Sequence, residues 1–242
     1  GMMNSGQICM SVERIYVEAP VYDSFVDRLA ASVGELRQGP DGPEVGSDVG
    51  AITSPEQIGI VAGQVSEAIE HGARALVGGR HLDRPGDFYQ PTVLVDVDHS
   101  MRVMRDETFG PVVGVMKVSD ADEAVRLAND SRYGLSATVF GPKRRAEKTA
   151  RRIECGAVNV NDVLTASMVP GIPLGGWKES GIGYRNGKYG IRKFCRSEAI
   201  VTARTQLLPE PFWYPYTPER RESVEKLTRF VNARGIRRRL GL

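Results

Sequence analysis

The chain has 242 residues, 41% hydrophobic and 26% charged, the composition of a globular protein long enough for one sizeable core or two smaller ones. Its 32 Lys and Arg against 30 Asp and Glu leave a net charge of +2, a balance that gives no reason to expect nucleic acid or a membrane surface as partner. No apolar run reaches the ~18–20 residues of a membrane span. The start carries no basic-then-apolar export signal. Gly1 ahead of Met2 reads as the remnant of a tag before a start codon. The three cysteines, Cys9, Cys155 and Cys195, form no CxxC pair, no disulfide framework and no metal-ligating set, and a reducing cytoplasm suits them.

The elements follow in chain order. NSGQIC (4–9) is a Gly/Asn/Ser-rich turn that ends on Cys9. Such a turn can expose a thiol and aim backbone N–H groups at it, although a cysteine can equally be a small buried hydrophobe. RIYVEA (14–19) alternates as a strand. Residues 21–36 place Phe25, Leu29, Val33 and Leu36 on one helical stripe. A Gly/Pro-rich loop (38–50) leads to Pro55 and a helix over 56–72 that Gly72 ends. ALVGG (75–79) reads as a short buried strand and PTVLVDV (91–97) as another. Residues 101–111 are irregular, 112–118 are an apolar strand, and Ser119 caps a helix over 120–129. LSATVFG (135–141) is a strand, 142–156 a basic helix that Gly156 stops, and AVNVND (157–162) a strand. This alternation predicts an α/β fold with a mainly parallel sheet flanked by helices.

The end of the chain differs. Residues 163–190 are glycine-rich and hold little regular structure, EAIVTART (198–205) reads as a strand, and LPEPFWYPYTP (208–218) is a linker. Residues 218–240 form a basic amphipathic helix with Val224, Leu227 and Val231 on its apolar stripe.

PLGGWKESGIG (173–183) is neither a Walker loop nor a GxGxxG fingerprint. Five motifs in order nevertheless carry a resemblance: NSGQIC, then Glu107, Phe109, Gly110 and Pro111 of DETFGPV, then ANDSRYGLSATVF (128–140), VNVND, and P-x-G-G-x-K-x-S-G (173–181). Together they resemble the aldehyde dehydrogenases, from the opening turn to about residue 205, with Met2 where the family's first motif has an aromatic residue.

The resemblance implies a set of roles. Cys9 would be the nucleophile, forming a thiohemiacetal and then a thioester that water hydrolyses. Glu107 would accept hydrogen bonds from the nicotinamide ribose hydroxyls, and Phe109 would wall the ring. Ile8, Met10, Leu164 and Ile172 would line the aldehyde channel. The cofactor would be NAD or NADP in the complete enzyme, with none expected on this chain alone. The family's dinucleotide-binding half, its water-activating glutamate and its oxyanion-hole asparagine all precede the cysteine in the chain. The sequence therefore resembles the carboxy-terminal half, inactive by itself: a catalytic domain over 1–197, an oligomerisation strand over 198–207, and a linker and helical tail over 208–242. One domain expressed alone, a truncated or split gene, or a second chain supplying the rest would each produce this. The expected partners are the aldehyde, the missing half and further copies of the chain. The alternative is a catalytically silent assembly module. The NVND–GGWKESG–GIRKF run and the tail are similar to bacterial succinate-semialdehyde dehydrogenases, whose substrate would need a cation; Lys178, Arg185, Lys188 and Arg192 are the candidates.

Overall fold

The computed structural model describes residues 1–40, 46–202, 204 and 213–233. The chain divides into two compact units, residues 1–195 and 196–242.

The first unit is built on a four-stranded sheet. Its strands are β1 (Arg14–Glu18), β2 (Arg74–Val77), β3 (Thr92–Val95) and β4 (Val112–Val118), in the order β1-β4-β3-β2. β1 and β3 both run parallel to β4, while β2 is an antiparallel edge strand on β3 with a register shift between Ala75 and Val77. The expected buried strand over 75–79 is corrected here. As an edge strand, β2 leaves Arg74, Ala75 and Leu76 exposed, and Gly78 and Gly79 turn the chain at φ of 73° and 89°.

Strand periodicity divides the core between the sheet's two faces. Val93, Val95, Val113 and Val115 point to one face, where α1 (Ala19–Gly34) lays Tyr22, Val26 and Val33. Leu94 and Val112 point to the other, where α2 (Pro55–Glu70) brings Val61, Val65 and Ala68 beside Met101 and Met104. Gly114 lies on that second face because a Cβ there would sit 2.6 Å from the Met104 sulfur. The start of α2 is set by Pro55 and by Ser54, whose side chain accepts from the Gln57 N–H.

α3 (Ala121–Asn129) is capped by Asp120, not by the expected Ser119. Asp120 Oδ1 accepts from the Asp122 and Glu123 N–H groups, and Ser119 instead donates its N–H and hydroxyl to Glu123. The stretch that follows adds β5 (Tyr133–Gly134), β6 (Ser136–Val139), α4 (Lys143–Ala150), β7 (Ala157–Val160), α5 (Thr165–Met168), β8 (Trp177–Lys178) and α6 (Gly187–Arg192). β6 and β7 pair in parallel, and β5 and β8 antiparallel.

The helix expected over 142–156 stops at Ala150. Asn129 captures the continuation: its amide donates to the Arg152 carbonyl and accepts from the Glu154 N–H, both at 2.9 Å. Two tertiary hydrogen bonds outweigh the helical preference of ARRIE. The stretch 163–190, expected to hold little regular structure, holds the short elements α5, β8 and the start of α6.

The second unit holds α7 (Pro218–Asn232), with the Thr217 hydroxyl oxygen accepting from the Arg220 N–H. The strand is expected over 198–205, of which residues 198–202 and 204 are described. Residues 198–202 and 204 make no ladder, since an extended segment becomes a strand only against a neighbour. Residues 203 and 205, linker residues 208–212 and helix residues 234–240 lie outside the described residues. Among the described residues no helix is long and apolar enough to cross a membrane.

Candidate active site

The turn that carries Cys9 is built from three successive left-handed residues, Asn4, Ser5 and Gly6, with φ of 51°, 58° and 72°. Glycine adopts this conformation freely, whereas each L-residue there costs about 1–2 kcal/mol. Side chains offset that cost. The Asn4 amide donates to the Gln7 carbonyl, the buried Ser5 hydroxyl to the Gly50 carbonyl at 2.9 Å. Gln7 ties the turn to the next loop, accepting from the Thr53 N–H and hydroxyl at 2.8 and 2.6 Å and donating to the Ala51 carbonyl.

Beyond this anchor the chain projects Cys9 into solvent as a free thiol, with Met10 buried behind it and Ile8 half-buried. The Gln7 N–H is taken by the Asn4 carbonyl; among the described residues the N–H groups of Ile8, Cys9 and Met10 donate to nothing. Donors free beside a sulfur are what an oxyanion at that sulfur requires.

The DETFGPV motif lies directly against this turn. A Cβ on Gly6 would stand 1.9 Å from the Gly110 carbonyl oxygen, so only glycine permits the approach. Glu13 is the second link. Its Oε1 accepts from both the Thr108 and the Phe109 N–H, at 3.1 and 2.9 Å. Burial pushes the Glu13 carboxyl above its ordinary pKa, and the two N–H donors oppose that rise.

The other side of the motif is held from α2. The Gln57 amide donates to the Thr108 carbonyl at 2.8 Å. The fully buried Gln64 donates to the Glu107 carbonyl at 3.1 Å and accepts from the Thr108 hydroxyl at 2.7 Å. With its backbone engaged on both sides, the motif presents an exposed Glu107 side chain and a half-buried Phe109 in a left-handed conformation, φ 48°. Among the described residues no side chain pairs with the Glu107 carboxylate.

The remaining motifs are locked together structurally. Lys178 donates to the Asn129 and Ser131 carbonyls at 2.7 and 3.1 Å and pairs with Glu154 at 3.2 Å, which engages the ammonium suggested as a substrate anchor. Ser180 Oγ accepts from the Gly134 N–H. In VNVND, the buried Asn159 brackets Val163 and Ala166, and Asn161 exchanges two bonds with Gly141.

A cavity of about 180 Å³ opens at Cys9. Met10, Leu135, Leu174 and Ile182 give it apolar wall, and Gly175, Gly176, Arg185 and Lys193 also line it. Of the expected channel residues it contains Met10; Ile8, Leu164 and Ile172 do not line it, Ile172 being exposed and Leu164 half-buried before α5. The positioning residues Glu13, Gln57 and Gln64 were not singled out from sequence. The signal available for them was weak: a polar residue, Gln64, on the apolar stripe of an amphipathic helix.

Comparison with known proteins places these observations. The model of the aldehyde dehydrogenase family matches residues 1–200. A 4,4'-diapolycopene aldehyde oxidase of a Methylomonas species is 41% identical over 229 residues, 94% of this chain and 42% of that protein. A Mycobacterium ulcerans protein that provisionally bears the name succinate-semialdehyde dehydrogenase [NADP(+)] 2 is 40% identical over 217 residues, 88% of this chain and 42% of its own length. The crystal structure of a Staphylococcus aureus betaine aldehyde dehydrogenase in complex with NAD+ superposes with a TM-score of 0.79 at 33% identity, covering 88% of this chain and 42% of that one. The chain thus spans about two-fifths of the length of the curated relatives it matches.

Proposed function

The chain belongs to the aldehyde dehydrogenase family, and from that membership we propose that it is the cysteine-bearing part of an enzyme that oxidises an aldehyde to a carboxylic acid. What supports the reading above all is the packing of Gly6 on Gly110. It puts the Cys9 turn and the Glu107–Phe109 motif on one surface although about a hundred residues of chain separate them.

In this reading the Cys9 thiolate adds to the aldehyde carbon. The C–S bond forms and the carbonyl π pair moves onto oxygen, giving a thiohemiacetal. The N–H groups left free in the turn hold that oxygen, and the cofactor NAD or NADP, when bound, supplies the acceptor for the hydride. The exposed, unpaired Glu107 carboxylate fits a pair of ribose hydroxyls because it offers only acceptors, and the fixed backbone keeps Phe109 as a wall beside it. Loss of hydride from that carbon, with the oxygen's electron pair re-forming the carbonyl, leaves a Cys9 thioester; water then adds to its carbonyl carbon and gives its proton to a base, the C–S bond breaks, and the acid leaves as the thiolate returns. We assign the base for that water and the asparagine that completes the oxyanion hole to a dinucleotide-binding half with which residues 1–197 combine. Residues 198–207 become a strand against a second copy, with 208–242 as linker and helical tail. The three free thiols suit a reducing cytoplasm.

The relatives' names share an aldehyde and differ in what it is attached to, diapolycopene in one and succinate in the other. The test is cofactor reduction by the purified chain with a panel of aldehydes, alone and mixed with a separately produced dinucleotide-binding half. Turnover is expected only in the mixture, and Cys9→Ala abolishes it. Steady turnover by the homogeneous chain alone overturns the division of labour; turnover in the Cys9→Ala mixture overturns the nucleophile.

A further inference from the structure

The net charge of +2 averages over an uneven distribution. The first 225 residues hold 26 Lys and Arg against all 30 Asp and Glu. The last 17 hold six cations, Lys226, Arg229, Arg234, Arg237, Arg238 and Arg239, and no acid. The family match ends at residue 200 and gives this stretch no role.

α7 sorts its residues by face. Val224, Leu227 and Val231 recur at the helical period and form one stripe. Leu227 and Val231 are 43% and 64% exposed, so the stripe meets solvent. The same period puts Glu222 and Glu225 on the opposite face, where Glu222 pairs with Lys226 at 2.7 Å and Glu225 with Arg221 and Arg229 at 3.0 and 3.8 Å. At the helix entrance Arg220 turns back and donates to the Trp213 and Pro215 carbonyls. That ties an aromatic cluster to the first turn: Trp213, Tyr214 and Tyr216 are all exposed, the two tyrosine rings 4.8 Å apart.

The partner must answer both the cations and the apolar stripe. A nucleic acid answers the charge and leaves Leu227 and Val231 in water. A second copy of the helix covers the stripe and brings like charges together. An anionic bilayer surface answers both, since the stripe enters the acyl boundary, the cations meet lipid phosphates, and Trp and Tyr rings sit with their polar edges at the headgroups. We propose that α7, with the aromatic segment before it and the cations after Glu225, docks this protein on the surface of an anionic lipid bilayer. The helix lies on the membrane and does not cross it, because its 15 residues fall short of the ~20 that a span needs. A short stripe and a handful of charges make the attachment reversible and sensitive to salt. The inference is independent of the chemistry at Cys9.

The test is flotation of the purified chain with vesicles of phosphatidylcholine, alone or with about one-third phosphatidylglycerol. Trp177 and Trp213 are the two tryptophans, so in a Trp177→Phe background fluorescence reports Trp213 alone. At low salt about tenfold more chain is expected to float with the anionic vesicles than with the neutral ones, with Trp213 emission shifted to the blue, and high salt is expected to release it. Leu227→Ser with Val231→Ser, and separately Arg237→Gln with Arg238→Gln and Arg239→Gln, are each expected to lower flotation about fivefold, with thermal melts that match the native chain. No flotation, equal flotation on both vesicles, or flotation without the Trp213 shift overturns the proposal. So does flotation that the Leu227/Val231 pair leaves unchanged. Binding to duplex DNA without flotation assigns the cations to a nucleic acid and overturns it as well.

Discussion

At Cys155 the thiol is buried, donates to the Ala157 carbonyl at 3.1 Å, and has its pKa pushed up by that burial. Cys9 and Cys195 are exposed, and among the described residues the N–H groups of Ile8, Cys9 and Met10 donate to nothing, whereas the Cys195 N–H is taken by the Arg192 carbonyl. Limiting iodoacetamide at neutral pH is therefore expected to label Cys9 first and Cys155 last, as read by peptide mapping; first label on Cys195 or Cys155 contradicts the turn as a preorganised nucleophile site.

Glu13 makes a second residue-scale case. Glu13→Ala leaves two N–H groups without their acceptor and is expected to cost about 2–4 kcal/mol. Glu13→Gln keeps Oε1 and removes the half-buried charge. Because the folded-state pKa is raised, the stability that Glu13 contributes is full below its ordinary value and is lost as pH rises through the raised one. Thermal melts at pH 4 and pH 8 are expected to show Glu13→Gln gaining on the native protein at the higher pH. A gain on acidification instead reverses the sign and refutes the assignment.

At the scale of elements, the junction between the Cys9 turn and the 106–112 motif depends on close approach at Gly6 and on a buried amide from α2. Gly6→Ala forces a Cβ into the Gly110 carbonyl at a left-handed position. That is more than the strain of a φ mismatch alone, and a loss of at least ~2–3 kcal/mol is expected in denaturant unfolding. Gln64→Leu keeps the shape of the side chain and leaves the Thr108 hydroxyl and the Glu107 carbonyl unpaired, a loss of about 2–4 kcal/mol. Both variants are expected to slow Cys9 alkylation less than they destabilise the fold, because the sulfur stays in solvent. The same logic explains α4. Its sequence favours helix well past Ala150, and the break comes from Asn129, which no periodicity in residues 142–156 reveals.

At the scale of the whole molecule, large apolar residues of the first unit stand in water: Met168, Trp177, Ile182, Ile191 and Phe194. An apolar surface of this kind marks a docking face or drives self-association. The purified chain is expected to run as a dimer or larger species in light scattering, and Ile182→Ser with Phe194→Ser to shift it toward monomer. A monodisperse monomer at high concentration counts against this.

From the sequence alone came the α/β class, most element positions, the family and Cys9 as the candidate nucleophile, because these are carried by local signals: hydrophobic period, turn formers, and five ordered motifs. What the motifs do to one another was decided only by tertiary structure. Gly6 on Gly110, Glu13 under Thr108 and Phe109, Gln64 between two backbone groups, and Lys178 drawn into the end of α3 are all long-range contacts between residues whose types are unremarkable. The same holds for the cavity. Sequence offered Lys178, Arg185, Lys188 and Arg192 as equivalent cations and passed over Lys193. Only the path of the chain determines that Lys178 is engaged by the Asn129 and Ser131 carbonyls while Arg185 and Lys193 line the cavity that Cys9 also lines.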